Sequence, residues 1–207
     1  MKSCRIPFIE NKNLDNISYR DIKAIKISNW PWMKDYTPKC SVKAFVSGCC
    51  DKGEKLHIRL TCYEKNPKAV YTNFFDDVYK DSCLEAFISF THGGPYMNCE
   101  MNANGASLIA FGPDRENRTR IDALIIPPPV RAEIKKKKWR VEIVLDISDL
   151  RKIFGEDTNI DKGSEFFANF YKCGDETEIV HYGCWSPIET PEPDFHRPEY
   201  FGRVTIG

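Results

Sequence analysis

Long apolar runs are missing from this 207-residue chain, and no stretch approaches the roughly 18 consecutive apolar residues of a membrane-spanning helix. A surplus of one charge sign is missing as well. With 30 Lys and Arg against 30 Asp and Glu, the net charge is zero. That argues against a nucleic-acid protein, because phosphate binding needs a cationic surplus or a segregated basic face. The lysine tract 135–138 stands alone and reads as a solvated hairpin end rather than a nucleic-acid patch. Neither GxGxxG nor GxxxxGK[ST] occurs, so both common phosphate-cradling loops are excluded. GxSxG and HExxH are absent too, which removes the usual nucleophile elbow and zinc-peptidase signatures. Strand-helix-strand runs are lacking, which disfavours a doubly wound α/β fold.

Cysteine is present nine times, at 4, 40, 49, 50, 62, 83, 99, 173 and 184. The number is odd and no CxxC pair occurs, so the tetrahedral zinc spacings are absent. Several of these cysteines fall at inward positions of predicted strands, where Cys acts as a small hydrophobe. A reducing compartment is the simpler reading. The opening segment MKSCRIPFIENKN has no apolar core of signal-peptide length. The expectation is a cytoplasmic protein. The sequons Asn16-Ile17-Ser18 and Asn117-Arg118-Thr119 carry meaning only in a secreted chain.

What is there is a period of two. Leu56 to Tyr63, Tyr96 to Ala103, Trp139 to Asp146 and Val42 to Val46 alternate apolar with polar residues, with exceptions at Val144 and Phe45. Such alternation marks strands with one buried face. Leu84 to Phe90 and Phe166 to Tyr171 are apolar on both sides and read as interior strands. Val180 to Trp185 and Arg203 to Ile206 complete the series. Many short strands separated by Gly, Pro, Asn and Asp predict an all-β sandwich or barrel. One short helix is predicted, capped by Ser148, with Leu150, Ile153 and Phe154 on one face and Gly155 at its end. Pro127-Pro128-Pro129 is a stiff connector. No domain boundary falls within 1–207, and 42% hydrophobic residues suffice for a core.

Candidate chemistry gathers in three places. Tyr96, Asn98, Glu100 and Asn102 occupy alternate positions and share one strand face, at intervals of about 6.5–7 Å. Sugar hydroxyls need such paired donors and acceptors, although an ordinary solvated sheet face has the same pattern. Glu85 sits within an otherwise apolar strand, where a carboxylate must be paired, hydrogen-bonded or facing a cleft. Tyr79 lies just before that strand, and Asp76, Asp77 and Asp81 offer an oxygen cage for Ca²⁺, or else a plain acidic turn. Trp185 ends a strand before Ser186-Pro187. It reads as an indole lying open beside a loop, against which a pyranose stacks, or as a core tryptophan. Trp30 and Trp32, two apart, are placed on one side of an extended chain and staple it to the core. Asp157 to Gly163 starts like a calcium loop, but its glycine is one place late and its twelfth position is Ala168.

In DVYKDSCLEAFIS (77–89), YMNCEMNANGASLIAFGPDRENR (96–118), WRVEIVLDISDL (139–150), FFANFYKCGD (166–175) and HYGCWSPIETPEPDFHRPEYFGRVTI (181–206), the chain resembles the carbohydrate-binding family 9-like domains. These are relatives of the sugar-binding modules of xylanases. The resemblance covers nearly the whole chain. It implies an antiparallel β-sandwich of jelly-roll or immunoglobulin-like type, similar to DOMON domains, and binding of a mono- or oligosaccharide. It implies structural Ca²⁺ in some members. In the xylanase modules two tryptophans hold the sugar, with an acidic residue after the first. Tyr79 falls at the first aromatic, Glu85 at the acid and Trp185 near the second. The site expected is thus Tyr79 and Trp185 stacking on the ring, with Glu85, Tyr96, Asn98, Glu100, Asn102 and Arg115 bonding its hydroxyls, and no catalysis. Two other readings stand beside it: a glycan-active enzyme with Glu85 and Glu100 as acid and base, and a haem or other cofactor binder with His181 as the nominated ligand.

Overall fold

A computed structural model describes residues 1–10, 19–49 and 53–207. The sequon at 16–18, Cys50 and the Cys49 side chain lie outside the described residues. The larger sheet contains β1 (Ser3–Ile6), β6 (Cys83–Ser89), β7 (Tyr96–Asn102), β8 (Ser107–Gly112), β9 (Thr119–Arg120), β12 (Glu165–Gly174), β13 (His181–Cys184) and β14 (Gly202–Ile206). Its order is β1-β14-β12-β6-β7-β8-β9, with β13 also paired to β12. The smaller sheet contains β2 (Phe8–Glu10), β3 (Ile25–Ile27), β4 (Lys39–Cys49), β5 (Gly53–Tyr63), β10 (Arg131–Lys135) and β11 (Lys138–Asp146). Its order is β10-β11-β5-β4-β2, with β3 beside β4. The two open sheets form a β-sandwich. Pairing is antiparallel except for β1 with β14 and β2 with β4, so each sheet is mixed at an edge.

Alternation places the core. Leu56, Ile58, Leu60 and Cys62 of β5 and Trp139, Val141, Ile143 and Leu145 of β11 point inward. They meet Leu84, Ala86 and Ile88 of β6 and Met97, Cys99 and Met101 of β7. The strand β7 departs from expectation, because all seven of its residues are buried. A second apolar cluster explains this. Phe87, Tyr96, Leu108, Tyr171, Cys184, Ile188, Phe195 and Phe201 pack on the outer face of the larger sheet, beneath the segments 68–82 and 185–201. The polar face of β7 is therefore covered.

The helix α1 spans Ile147–Phe154, buries Leu150 and Ile153, and ends at Gly155 with φ of 110°. Its cap position is Asp146, not Ser148, and the Asp146 carboxylate bonds Lys55 instead of the helix amides.

The inner face holds a buried ion pair. Lys172 of β12 is fully buried. Its Nζ donates to the Cys173 carbonyl at 2.8 Å, lies 2.6 Å from His181 Nε2 and 3.5 Å from Glu64 Oε2. Glu64 also accepts from Trp139 Nε1 at 2.7 Å and Ser82 Oγ at 3.1 Å.

Trp185 lies on this inner side, contrary to its reading as an open plate. It is 2% exposed and tilts against Phe170, with ring centroids 5.6 Å apart. Gly202 backs onto the indole so closely that an added Cβ would stand 2.7 Å from it. Trp185→Ala should therefore lower unfolding free energy by about 3–5 kcal/mol in urea titrations. A loss under about 1 kcal/mol would mean that the ring is not packed as described.

Candidate functional site

Tyr182 and Trp185 are three positions apart. An odd separation sends the two side chains to opposite faces of a strand. Tyr182 thus stands on the outer face, where the register lays out two rows. One runs Tyr182, Cys173, Cys83 and Asn102 across β13, β12, β6 and β7. The next runs Tyr171, Glu85, Glu100 and Leu108 across β12, β6, β7 and β8. Above them is a cavity of about 260 Å³, floored by Glu85, Glu100, Leu108 and Cys173. Its walls are Tyr79, Tyr182, Phe195 and His196, and Arg115, Arg118 and Asp175 complete the rim.

Each wall is held by polar contacts under it. Asp81 is buried and accepts from the amides of Val70 and Tyr71 at 2.8 and 3.0 Å and from Asn102 Nδ2 at 2.9 Å. This fixes the loop that carries Tyr79. The Phe195 ring stacks on Tyr171 at 4.0 Å, and the Tyr171 hydroxyl donates to the Phe195 carbonyl at 3.1 Å. The Tyr96 hydroxyl lies 2.7 Å from His196 Nδ1. On the arginine side, Asp114 Oδ1 accepts from the amides of Glu116 and Asn117 at 2.9 and 2.8 Å. That turn presents Arg115 and Arg118, and Arg118 Nε donates to the Arg115 carbonyl at 2.8 Å.

Four of the expected site residues meet at this cavity: Tyr79, Glu85, Glu100 and Arg115. The others do not line it. Tyr96 is buried under His196, and Asn98 lies buried along β7 with its Nδ2 donating to Glu100 Oε1 at 3.0 Å. Asn102 is a turn organiser, its Oδ1 accepting from the amides of Asn104 and Ala106. Trp185 belongs to the core on the other face.

Asp76, Asp77 and Asp81 do not converge into an oxygen cage. Asp76 Oδ2 accepts from the amides of Thr72 and Asn73, Asp77 pairs with Lys80 at 3.0 Å, and Asp81 is turned inward. His181 is buried on the inner face, with Nε2 against Lys172 and Nδ1 2.6 Å from the Ile179 carbonyl. Both ring nitrogens are taken, which removes it as a cofactor ligand at the cavity. Trp30 and Trp32 also part company: Trp30 packs on Gly183, whereas Trp32 meets Tyr182 and Phe195 edge-on or tilted.

Sequence reasoning missed Arg118, Asp175, Tyr182, Phe195 and His196. Parity along 181–185 was the available signal for Tyr182. For the loop residues no periodic signal exists.

The floor is electrostatically loaded. Glu85 and Glu100 face each other directly across β6 and β7 and are 2% and 4% exposed. Burial first, and then the Glu100 carboxylate, push Glu85 well above the usual carboxylate range. Burial pushes Glu100 up to about 7, against the pull of Arg118, whose Nη1 is 3.8 Å from Glu100 Oε1. The pair therefore titrates as a unit, and near neutral pH it supplies both a donor hydroxyl and an acceptor oxygen. Burial also lowers His196, to about 3, so its ring is neutral.

An aromatic wall thus stands over carboxylates and guanidinium groups on one face of the β-sandwich. The model of carbohydrate-binding family 9 matches residues 10–206, and the chain belongs to that family. Among solved structures, a candidate carbohydrate-binding protein from Bacteroides uniformis superposes with a TM-score of 0.76 at 22% identity, covering 100% of this chain and 99% of that one. A family 9 module from Caldicellulosiruptor kristjanssonii in complex with glucose gives a TM-score of 0.68 at 10% identity, covering 100% and 96%. A family 9 module from the same organism in complex with cellotriose gives 0.63 at 10% identity, covering 99% and 93%. At these identities the likeness is one of fold. No curated protein sequence matches the chain.

The raised Glu100 has a consequence for stability. The folded state holds its proton more tightly than the unfolded chain does, so its contribution is complete below about 4.5 and lost as pH rises to about 7. Glu100→Gln should gain stability relative to the wild type across that interval, on the order of 2–3 kcal/mol. The histidines held neutral by burial shift stability in the opposite sense but cancel in this difference. Urea midpoints of both proteins at pH 4.5, 6 and 7.5 check it. A gap that does not widen with pH would contradict the buried dyad.

Proposed function

We propose that the outer-face cavity binds one sugar ring, the terminal unit of a mono- or oligosaccharide, without catalysis. The observation that carries this reading is the convergence of Tyr79 and Tyr182 with Glu85, Glu100, Arg115 and Arg118 on one small hollow. An aromatic face strips water from the C–H face of a pyranose, while carboxylates and guanidinium groups satisfy its hydroxyls. Arg118 Nη1 is buried without a hydrogen bond of its own and stands ready for a ligand oxygen. At about 260 Å³ the hollow sits below the ~300–1,000 Å³ of ordinary ligand sites. It suits a single ring rather than a chain. Family 9 modules bound to glucose and to cellotriose support the substrate class.

Tyrosine offers a smaller stacking face than tryptophan, so affinity for a monosaccharide should be modest. Glu85 and Glu100 stand side by side on one sheet face. A glycoside hydrolase sets its two carboxyls on either side of the scissile bond. Neighbours on a single floor approach a ring from the same direction, which favours binding over hydrolysis.

Calorimetry against a panel including glucose and cellotriose tests the proposal. Tyr79→Ala and Tyr182→Ala should each weaken binding about 5–10-fold, since stacking is worth ~1 kcal/mol per ring. Trp185→Phe should leave affinity unchanged. Equal affinity in the wild type and both tyrosine variants would place the sugar elsewhere. Turnover of chromogenic glycosides, abolished in Glu100→Gln, would replace binding by catalysis.

A further inference from the structure

The register of the larger sheet sets two cysteines face to face, Cys83 of β6 opposite Cys173 of β12. Glu85, two residues along β6, shares their face. Cys83 Sγ, Cys173 Sγ and a Glu85 carboxylate oxygen all lie within 4.8 Å of one another, and all three residues are buried. Cys173 Sγ donates to Glu85 Oε1 at 2.9 Å. Among the described residues this is the one place where three such ligand groups meet. Glu85 and Cys173 also line the cavity, which gives the cluster a path to solvent.

We propose that Cys83, Cys173 and Glu85 form a three-ligand site for a thiophilic divalent cation, zinc by its donor set, with the fourth coordination position opening into the cavity. Two sulfurs and one carboxylate oxygen suit Zn²⁺, whose bonds run ~2.3 Å to sulfur and ~2.0–2.2 Å to oxygen. The ligands of a tetrahedral ion then stand about 3.5 Å apart, so small side-chain rotations close the present spacing. A hard ion such as Ca²⁺ takes oxygen ligands and gains nothing from the thiols. Binding transfers the thiol protons, and that of Glu85 where it is protonated, to solvent. Two thiolates and a carboxylate around Zn²⁺ leave one net negative charge, beside the guanidinium groups of Arg115 and Arg118 at the same cavity.

The absence of CxxC from the sequence does not bear on this site. Cys-x-Glu in a strand puts both ligands on one face by the period of two, and pairing brings the third from 90 residues along the chain. A disulfide between the two thiols would instead leave the buried Glu85 carboxylate without its sulfhydryl partner.

The test is titration of the metal-free, reduced full chain with Co²⁺, followed by displacement with Zn²⁺. One ion per chain is expected, with sulfur-to-cobalt charge-transfer bands in the near ultraviolet and tetrahedral bands in the visible. Cys83→Ser and Cys173→Ser should each abolish the charge-transfer signature or cut it sharply. Cys62→Ser should retain it, although Cys62 Sγ lies 3.1 Å from Cys40 Sγ in the other sheet. Should either serine variant fail the near-ultraviolet dichroism check for folding, Glu85→Gln replaces it, with at least a tenfold loss of cobalt affinity expected. No charge-transfer band in the wild type, or an undiminished band in folded Cys173→Ser, overturns the site. Calorimetry with glucose on the same metal-free protein keeps the two readings apart. Sugar binding without a cobalt band sinks the metal site alone, and a cobalt band without sugar binding sinks the sugar reading alone.

Discussion

Two glutamates set directly opposite each other on a covered sheet face are the constraint around which the rest of this molecule is arranged. Like charges across a strand pair repel, and burial penalises each further. The fold answers in two ways. It holds protons on the pair, pushing Glu100 up to about 7 and Glu85 well above the usual carboxylate range. It also brings Arg115 and Arg118 over the pair on a turn that Asp114 clamps. A carboxylate pair of this kind contributes little to a core, since an apolar pair would bury without penalty. Its retention on a cavity floor makes sense as a preorganised set of hydrogen-bonding groups.

The cavity exists because loops, not strands, cover the larger sheet. Segments 68–82 and 185–201 carry the aromatic residues down onto the outer face, and buried polar anchors fix their height. Asp81 and Asn102 tie the first segment, and Tyr171 and Tyr96 tie the second through Phe195 and His196. The polar row of β7 thus divides its work. Glu100 faces the hollow, while Tyr96 and Asn102 hold its walls in place.

This division marks what could be read from the chain and what could not. The strands were legible because β5 and β11 bury one face and keep the alternation of a half-solvated sheet. Glu85 stood out as a charge in an apolar strand, and its place at the cavity follows from that misfit. Asn98, Asn102 and Asp81 look in sequence like Glu100, because a residue type does not reveal whether its partner is a ligand or a backbone amide. Trp185 misled for a simpler reason. Tryptophan is the more usual stacking plate, but strand parity selects Tyr182 for the outer face and returns the indole to Phe170. The short edge strands β1 and β2 pair in parallel, which no local pattern foretold.

Register links the two faces of the larger sheet. A slip of one residue in β12 or β13 would exchange Lys172 with Cys173 and Tyr182 with a neighbour, carrying a lysine to the cavity floor and a tyrosine into the core. Apolar residues alone discriminate poorly against such a slip here, because both faces of β12 are buried. Lys172 discriminates well. Only one register lets its buried ammonium reach Glu64 and His181 on the inner side. An unpaired ammonium in the interior costs several kcal/mol, far more than one misplaced methylene. The ion pair hidden between the sheets therefore specifies, from the opposite face, where Cys173 and Tyr182 stand at the cavity.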